Sequence, residues 1–476
     1  MRLGQTSIIY FIAKVFGSII GFFATIYFTR TLGEEIYGFY SITLALVSWL
    51  GIIKSVGFGQ SIVKRMSEGS DPDAYLSAGI AVKAVLTITV AFGVFIFSEQ
   101  VNEYVGQPVA EFVILLLIVS IFSGIVNAAL KGSHKVHIYA PLSTVKQAIR
   151  SVTMIILVYI GWELSGMLLG YAFGTAMVAT IGLLIVRPKL EVPQWDNIRD
   201  LFDFAKFSWL GSMRKRTFSD MDILVLAMFV PAGLTGIYAV AYALSEFLNI
   251  FGSAIKNTLF PEISKQDAAG KERMVVKLTE DALNFAGLFL IPGIVGATLL
   301  GDRLMRVYGD GFEIGAQVLT ILLVGILIYS YNRQLLNTLN GINRPDLAFR
   351  SNAVFIISNL VLNVALVYTI GWVGAAIATA SSAAIGFVVT FFYTRSQIGF
   401  TMPYYEVSRQ WFAAIVMGVV VYIVRGIGEA YWIATYNVVF LLILVSVGAT
   451  IYFITLLSIS NTLRTTVSRN LPFEIP

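Results

Sequence analysis

The sequence predicts an all-α polytopic membrane protein of about fourteen transmembrane helices, two lobes of six with two further helices at the C-terminus. Composition is the first ground. Of 476 residues, 57% are hydrophobic and 13% charged, whereas soluble domains carry about 25% charged residues. Spacing is the second: apolar runs of membrane-spanning length recur along the whole chain. The third is an internal repeat, described below. The net charge of +5 is spread over short loops and forms no block, which excludes a nucleic-acid partner. Without cysteine there is no disulfide, no Cys-ligated zinc and no thiol nucleophile. The first apolar stretch is too long for a cleavable signal and lacks a small-residue cleavage site.

The spans fall, in order, at 7–29, 38–58, 76–98, 109–130, 138–160 and 164–186, then at 207–230, 233–257, 282–305, 316–338, 347–370 and 373–395, and finally at 409–428 and 436–459. Each is apolar over about 20 residues, the length a helix needs to cross the hydrocarbon layer. The first, second, fifth, seventh and eighth are the most polar. Loops after even-numbered spans carry Lys64, Arg65, Lys131, Lys135, Arg187, Lys189, Lys265, Lys271, Arg273, Lys277, Arg344, Arg350 and Arg395. The opposite loops carry mainly Glu34, Glu35, Glu99, Glu103 and Glu163. Roughly 20 Lys and Arg on one side face roughly 4 on the other, so the positive-inside rule places both termini in the cytoplasm of a cell-membrane protein.

The domain organisation follows. Residues 1–190 form an N-lobe and 207–396 a C-lobe, joined by an interfacial helix over 191–206. Asp196 caps that helix, and Trp195, Ile198, Leu201, Phe202 and Ala205 gather on one side. Residues 397–476 hold the last two spans and a polar tail. The repeat supports the two lobes. LGEEIYGFYSITLAL (32–46) is similar to VPAGLTGIYAVAYAL (230–244), and LVYIGWELSG (157–166) to LVYTIGWVG (366–374). Each pair stands at the same place in its half, as expected of two duplicated units with parallel orientation.

Helical register exposes the candidate site. Ser208, Ser212, Lys215, Ser219 and Asp222 share a face of the seventh span, and Tyr242, Glu246, Asn249, Ser253 and Lys256 one of the eighth. Tyr139, Ser143, Lys146, Arg150 and Thr153 repeat the pattern in the fifth, Lys14 sits in the first, and the eleventh carries Asn352, Asn359 and Asn363. A charge at mid-bilayer costs about 2.5–3.5 kcal/mol. For Lys14, Lys83, Lys146, Arg150, Arg214, Lys215 and Arg216 together that is of order 20 kcal/mol, more than a typical folding stability. The stripes therefore converge on a hydrated cavity between the halves. Lys54 and Lys206, nearer the helix ends, snorkel. Arg216 and Asp220, four apart, neutralise each other along the helix. A surplus of fixed positive charge attracts an anion, and phosphate suits Arg and Lys. Asp220, Asp222, Glu246, Asn249, Asn359 and Asn363 supply polar lining or hold a coupling cation, Na+ or H+.

LFPEISKQ (259–266), SVGFGQSIVKRMSEG (55–69), NAALKGSHKVHIYAPL (127–142), NLVLNVALVYTIGWVGAAIATASS (359–382) and DMDILVLAMFV (220–230) occur in an order that covers nearly the whole chain. In these the chain resembles the prokaryotic polysaccharide and lipid-linked oligosaccharide flippases of the multidrug/oligosaccharidyl-lipid/polysaccharide exporter superfamily. The resemblance implies two six-helix lobes in a V around a central cavity. It also implies alternating access and transfer of a prenyl-phosphate-linked glycan from the cytoplasmic to the outer leaflet. The implied partners are that anionic glycolipid, membrane lipids and a coupling cation; no cofactor is implied. The alternatives are a multidrug or small-solute exporter of the same fold and a membrane glycosyltransferase. The first favours acids over the bases found here. The second needs a catalytic constellation that is not evident. His134 and His137 alone, without a third ligand nearby, do not make a metal site.

Overall fold

The computed structural model describes residues 3–55, 58–68, 71–133 and 135–470. The side chains of Lys14, Lys54, Lys206, Arg214 and Lys215, and residue His134, lie outside the described residues. Among the described residues the secondary structure is helical throughout. Ten stretches are long and apolar enough to cross a membrane. The first of them, Val15–Ile52, is one kinked run of 38 residues that holds two expected spans. Among the described residues the ten do not include the helices at the expected fifth, seventh and eighth spans; Ala232–Leu248, within the eighth, is apolar but shorter. By internal contacts the chain divides into two compact units, Met1–Gly236 and Ile237–Pro476.

The first unit contains α1 (Leu3–Ser55), α2 (Phe58–Glu68), α3 (Pro72–Ile96), α4 (Ser98–Val105), α5 (Ala110–Gly132), α6 (Val136–Tyr159), α7 (Glu163–Val186) and α8 (Trp195–Phe229). Gly33, at φ 80 and ψ 178, interrupts α1 where the first expected span ends. A side chain there would be strained, so glycine allows two helical segments to join with almost no loop. Pro72 and Asp73 open α3, proline where its missing N–H costs nothing and the acid where the helix dipole favours it. Residues 195–206 form the first turns of the continuous 35-residue α8. Leu201 and Ala205 are fully buried there with Phe58, Ile62 and Met66 of α2 and Ile125 and Ala129 of α5. Ser61 Oγ donates to the Leu201 carbonyl at 2.7 Å, and the Tyr75 hydroxyl to Asp200 at 3.0 Å. Remaining contacts place α8 against α1, α2 and α3, and α6 between α1 and α7.

The start of α9 (Ala232–Leu248) crosses α1 at backbone-contact distance. A Cβ at Gly38 would stand 1.9 Å from the Ala232 carbonyl oxygen. A Cβ at Gly236 would stand 2.1 Å from the Glu34 carbonyl oxygen. These four positions belong to the repeated stretches, in which Glu34 aligns with Ala232 and Gly38 with Gly236. The two contacts are reciprocal.

The second unit continues α9 and adds α10 (Ile250–Ala268), α11 (Glu272–Ala286), α12 (Leu290–Arg306), α13 (Ala316–Gly341), α14 (Pro345–Ile370), α15 (Trp372–Ile398), α16 (Tyr404–Gly428), α17 (Asn437–Ile459) and α18 (Asn461–Asn470). The expected span 282–305 lies within Glu272–Arg306, one of the ten, and its helix is interrupted: it stops at Ala286 and resumes at Leu290. Pro292 explains the break, because it lacks the N–H that the Leu288 carbonyl would accept from four residues on. The Tyr452 hydroxyl of α17 donates to that carbonyl instead, at 2.9 Å. Gln410 Nε2 of α16 likewise donates to the Asn284 carbonyl at 2.7 Å. Thus the last two long helices satisfy backbone groups that the broken span cannot satisfy itself.

An ionic clamp holds the same pair to α12. Arg425 of α16 donates to both oxygens of Asp302, at 3.1 and 2.9 Å, and to Glu429 at 2.8 Å. Arg303 reaches Glu429 at 3.1 Å and Asn437 at 3.3 Å. The hydrogen bonds from Arg425 first, then Arg303, hold the Glu429 carboxyl below its ordinary pKa. A carboxylate depressed in the folded state stabilises it above the ordinary pKa and loses that contribution as pH falls through the folded value. Glu429→Gln is accordingly expected to lower the thermal midpoint at pH 7 by a small amount, about 1–2 °C for so exposed a pair. The difference from the unmodified protein should close as a detergent-solubilised melt is carried down to pH 3.

Candidate functional site

Lys83 lies in the middle of α3, only 9% exposed. Glycines on two neighbouring helices give its ammonium room: a Cβ at Gly59 or Gly124 would be 3.8 or 3.7 Å from Nζ. Nζ opens onto a cavity of about 350 Å³ within the first unit. Its walls come from the second half of α1 (Ser48, Gly51), α3 (Lys83, Thr87), α5 (Ser120, Gly124), α7 (Tyr171) and α8 (Arg216). Among the described residues Lys83 makes no hydrogen bond or ion pair, and no carboxylate acts on it. One turn further along α3, the Thr87 hydroxyl is buried with no partner. Two unsatisfied donors thus face one cavity from the same side of one helix.

Arg216 differs. Its guanidinium pairs with Asp220 at 3.4 Å, one turn along α8, as their spacing predicts. Ser48 of α1 bridges them, accepting from Arg216 and donating to Asp220. Arg216 therefore brings donors to the cavity with its charge largely balanced, and the net positive charge belongs to Lys83. Asp222, two residues on, is buried at 2% exposure and is not part of the cavity wall.

Behind Tyr171 lies a second pair of bases. The Arg150 guanidinium stacks 3.3 Å from the Tyr171 ring centroid, a cation–π contact, with the Tyr40 hydroxyl beside it. Arg150 Nε is buried without a hydrogen-bond partner. Lys146, one turn earlier on α6, borders a small void with Asn127, Tyr139 and Ser143. Neither base forms an ion pair with a carboxylate among the described residues. Of the expected cationic set, Lys83 and Arg216 line one cavity of the first unit, Arg150 stacks on its Tyr171, and Lys146 borders a separate small void. At Lys14, Arg214 and Lys215 the helical backbone is described and the side chains are not.

The remaining expected residues sit in other surroundings. In the second unit Asn249 Nδ2 donates to Glu246 at 2.9 Å, and Asn249 Oδ1 accepts from Arg333 at 3.1 Å. Asn359 of α14 donates to Thr379 and Ser382 of α15, at 3.3 and 3.0 Å, while its Oδ1 is buried and unmatched. Asn363 is fully buried one turn further on. Sequence reasoning missed Thr87 and Arg333. Thr87 was detectable, since it lies four residues from Lys83 on the same helical face. Arg333 was not, because it sits in the consecutive polar run SYNRQ (330–334), which occupies every face of α13 and leaves no stripe.

Comparison with known proteins gives a consistent picture. A family model described as "Polysaccharide biosynthesis protein" matches residues 3–266. Two Haloferax volcanii proteins are each 27% identical to the chain. "Probable flippase AglR" aligns over 98% of both chains, and "Probable low-salt glycan biosynthesis flippase Agl15" over 89% of this chain and 90% of its own. Among solved structures, "Lipid II flippase MurJ, inward closed conformation" superposes with a TM-score of 0.80 at 16% identity, covering 97% of this chain and 99% of that one. An inward-facing multidrug resistance MATE family transporter gives 0.64 at 13% identity, over 80% and 94%. The likenesses to solved structures are of fold.

Proposed function

Because the chain belongs to the polysaccharide biosynthesis protein family, we propose that it is a flippase, a transporter rather than an enzyme, carrying a prenyl-phosphate-linked glycan from the cytoplasmic to the outer leaflet. The observation that carries this reading is the buried, unpartnered Lys83 in a cavity also lined by Arg216, Ser48, Ser120 and Thr87. A lone ammonium at membrane depth is costly unless something neutralises it. A phosphate does so, and the Thr87 and Ser120 hydroxyls with the Arg216 guanidinium add hydrogen bonds to its oxygens. The sugar then meets the polar wall and the Tyr171 ring, while the prenyl chain stays in lipid. Alternating access exposes this site to one leaflet and then the other. Both termini are cytoplasmic in this reading, on the strength of the loop charges. A coupling cation acts in the second unit, where the unmatched oxygen of Asn359 is one acceptor for it.

The relatives' names and the positive balance favour a glycolipid over the organic cations of a multidrug exporter. The test is reconstitution. Proteoliposomes made with a short-chain prenyl-phosphate sugar should expose it to an outside periodate or lectin probe at least about tenfold faster than protein-free vesicles. Translocation no faster than in protein-free vesicles, with uptake of organic cations in its place, would overturn the proposal in favour of the exporter.

A further inference from the structure

We propose that the break between α11 and α12 is a binding site for a monovalent cation, formed by Asn284, Tyr331 and Gln410 over Gly287. All four lie in the second unit. The three side chains come from three helices and are at least nine-tenths buried, at 9%, 8% and 5% exposure. Asn284 Oδ1, the Tyr331 hydroxyl oxygen and Gln410 Oε1 each lack a hydrogen-bond partner. The orientation of Gln410 is fixed, because its Nε2 donates to the Asn284 carbonyl; a flipped amide would set two oxygens against each other. Its Oε1 therefore points into the break as an acceptor.

Two of the oxygens, those of Tyr331 and Gln410 Oε1, meet over Gly287. A Cβ placed on Gly287 would stand 2.6 Å from the Tyr331 oxygen and 2.9 Å from Gln410 Oε1. Ile291 Cδ1 is 2.8 Å from the same point, so only glycine fits and the two oxygens border an apolar wall. The Tyr331 hydroxyl can donate to only one acceptor, so at least one of the two amide oxygens still calls for a donor or a cation. Of the two helix ends that meet at the break, the C-terminus of α11 at Ala286 is the partly negative one and the N-terminus of α12 at Leu290 the partly positive one. Interrupted helices in membranes present such negative ends to Na+. With three neutral oxygens and no carboxylate in the set, a singly charged hard ion fits better than a divalent one. The site stands independently of what the protein transports.

Thermal unfolding of the purified full chain in NaCl, KCl and choline chloride at equal ionic strength tests it. Na+ or K+ should raise the midpoint saturably over choline. Tyr331→Phe removes one oxygen while keeping the ring, and should raise the half-saturating concentration at least about fivefold, the loss expected of one ligand contact. Equal midpoints in all three salts, or a Tyr331→Phe protein with unchanged salt response, would overturn the site and leave a buried water as the occupant. Should the variant not fold, crystals of the unmodified protein soaked in Tl+ decide. Anomalous density over Gly287 supports the site, and its absence at saturating Tl+ refutes it.

Discussion

Lys83→Met is expected to cut glycolipid delivery at least about tenfold while the protein becomes more heat-stable, by about 2–4 °C. Both effects have one origin. Lys83 is buried, has no counter-charge among the described residues and borders a polar cavity. In the empty protein the ammonium is a burden, and methionine, close in length, removes it. In the loaded protein the same ammonium is the net positive charge at the site, since Asp220 already balances Arg216. Hydrogen bonds to charged groups contribute about 1.5–3 kcal/mol, which brackets a loss of tenfold to more than a hundredfold. The measurements are the reconstituted assay and a melt of the same preparation. A variant with full delivery would mean that Lys83 does not meet the substrate. One with lower stability would mean that the ammonium has a partner.

The second large effect is structural. Gly38→Ala and Gly236→Ala should each lower stability by about 1–3 kcal/mol or more, seen as a reduced midpoint or a reduced yield of monodisperse protein. The added carbon would lie 1.9 Å and 2.1 Å, respectively, from a backbone carbonyl oxygen. Backbone cannot rotate away as a side chain can, so the helices must separate. Gly93→Ala in α3 and Gly426→Ala in α16 are the controls. Nothing lies within 4 Å of a Cβ at either position. Alanine also favours helix over glycine by about 0.8–1.0 kcal/mol, so these should be neutral or mildly stabilising. Equal losses at all four positions would contradict the close crossing of α1 and α9.

The helical membrane architecture was legible because lipid permits few alternatives: an apolar run of sufficient length must be a helix. The pairing of Arg216 with Asp220 was legible because it is local, one turn apart on one helix. The bridge from Ser48 was not, since 168 residues separate Ser48 from Arg216 and only the packing of α1 on α8 brings them together. The basic residues of α3 and α6 stand out in the sequence as charges within apolar helices. Their actual surroundings, a ring of Tyr171 for Arg150 and two glycines for Lys83, depend on helix neighbours that periodicity does not specify. The break in the ninth span had a signal in Gly287 and Pro292, but hydropathy averages over both. Its repair by Gln410 and Tyr452 had none, because each is a single polar residue in an otherwise apolar helix.

The crossing of α1 and α9 also restrains what each stretch can become. Each glycine faces a backbone carbonyl of the other stretch. Neither position can drift without its counterpart's backbone yielding. That mutual restraint gives a physical reason for 32–46 and 230–244 to stay recognisably alike.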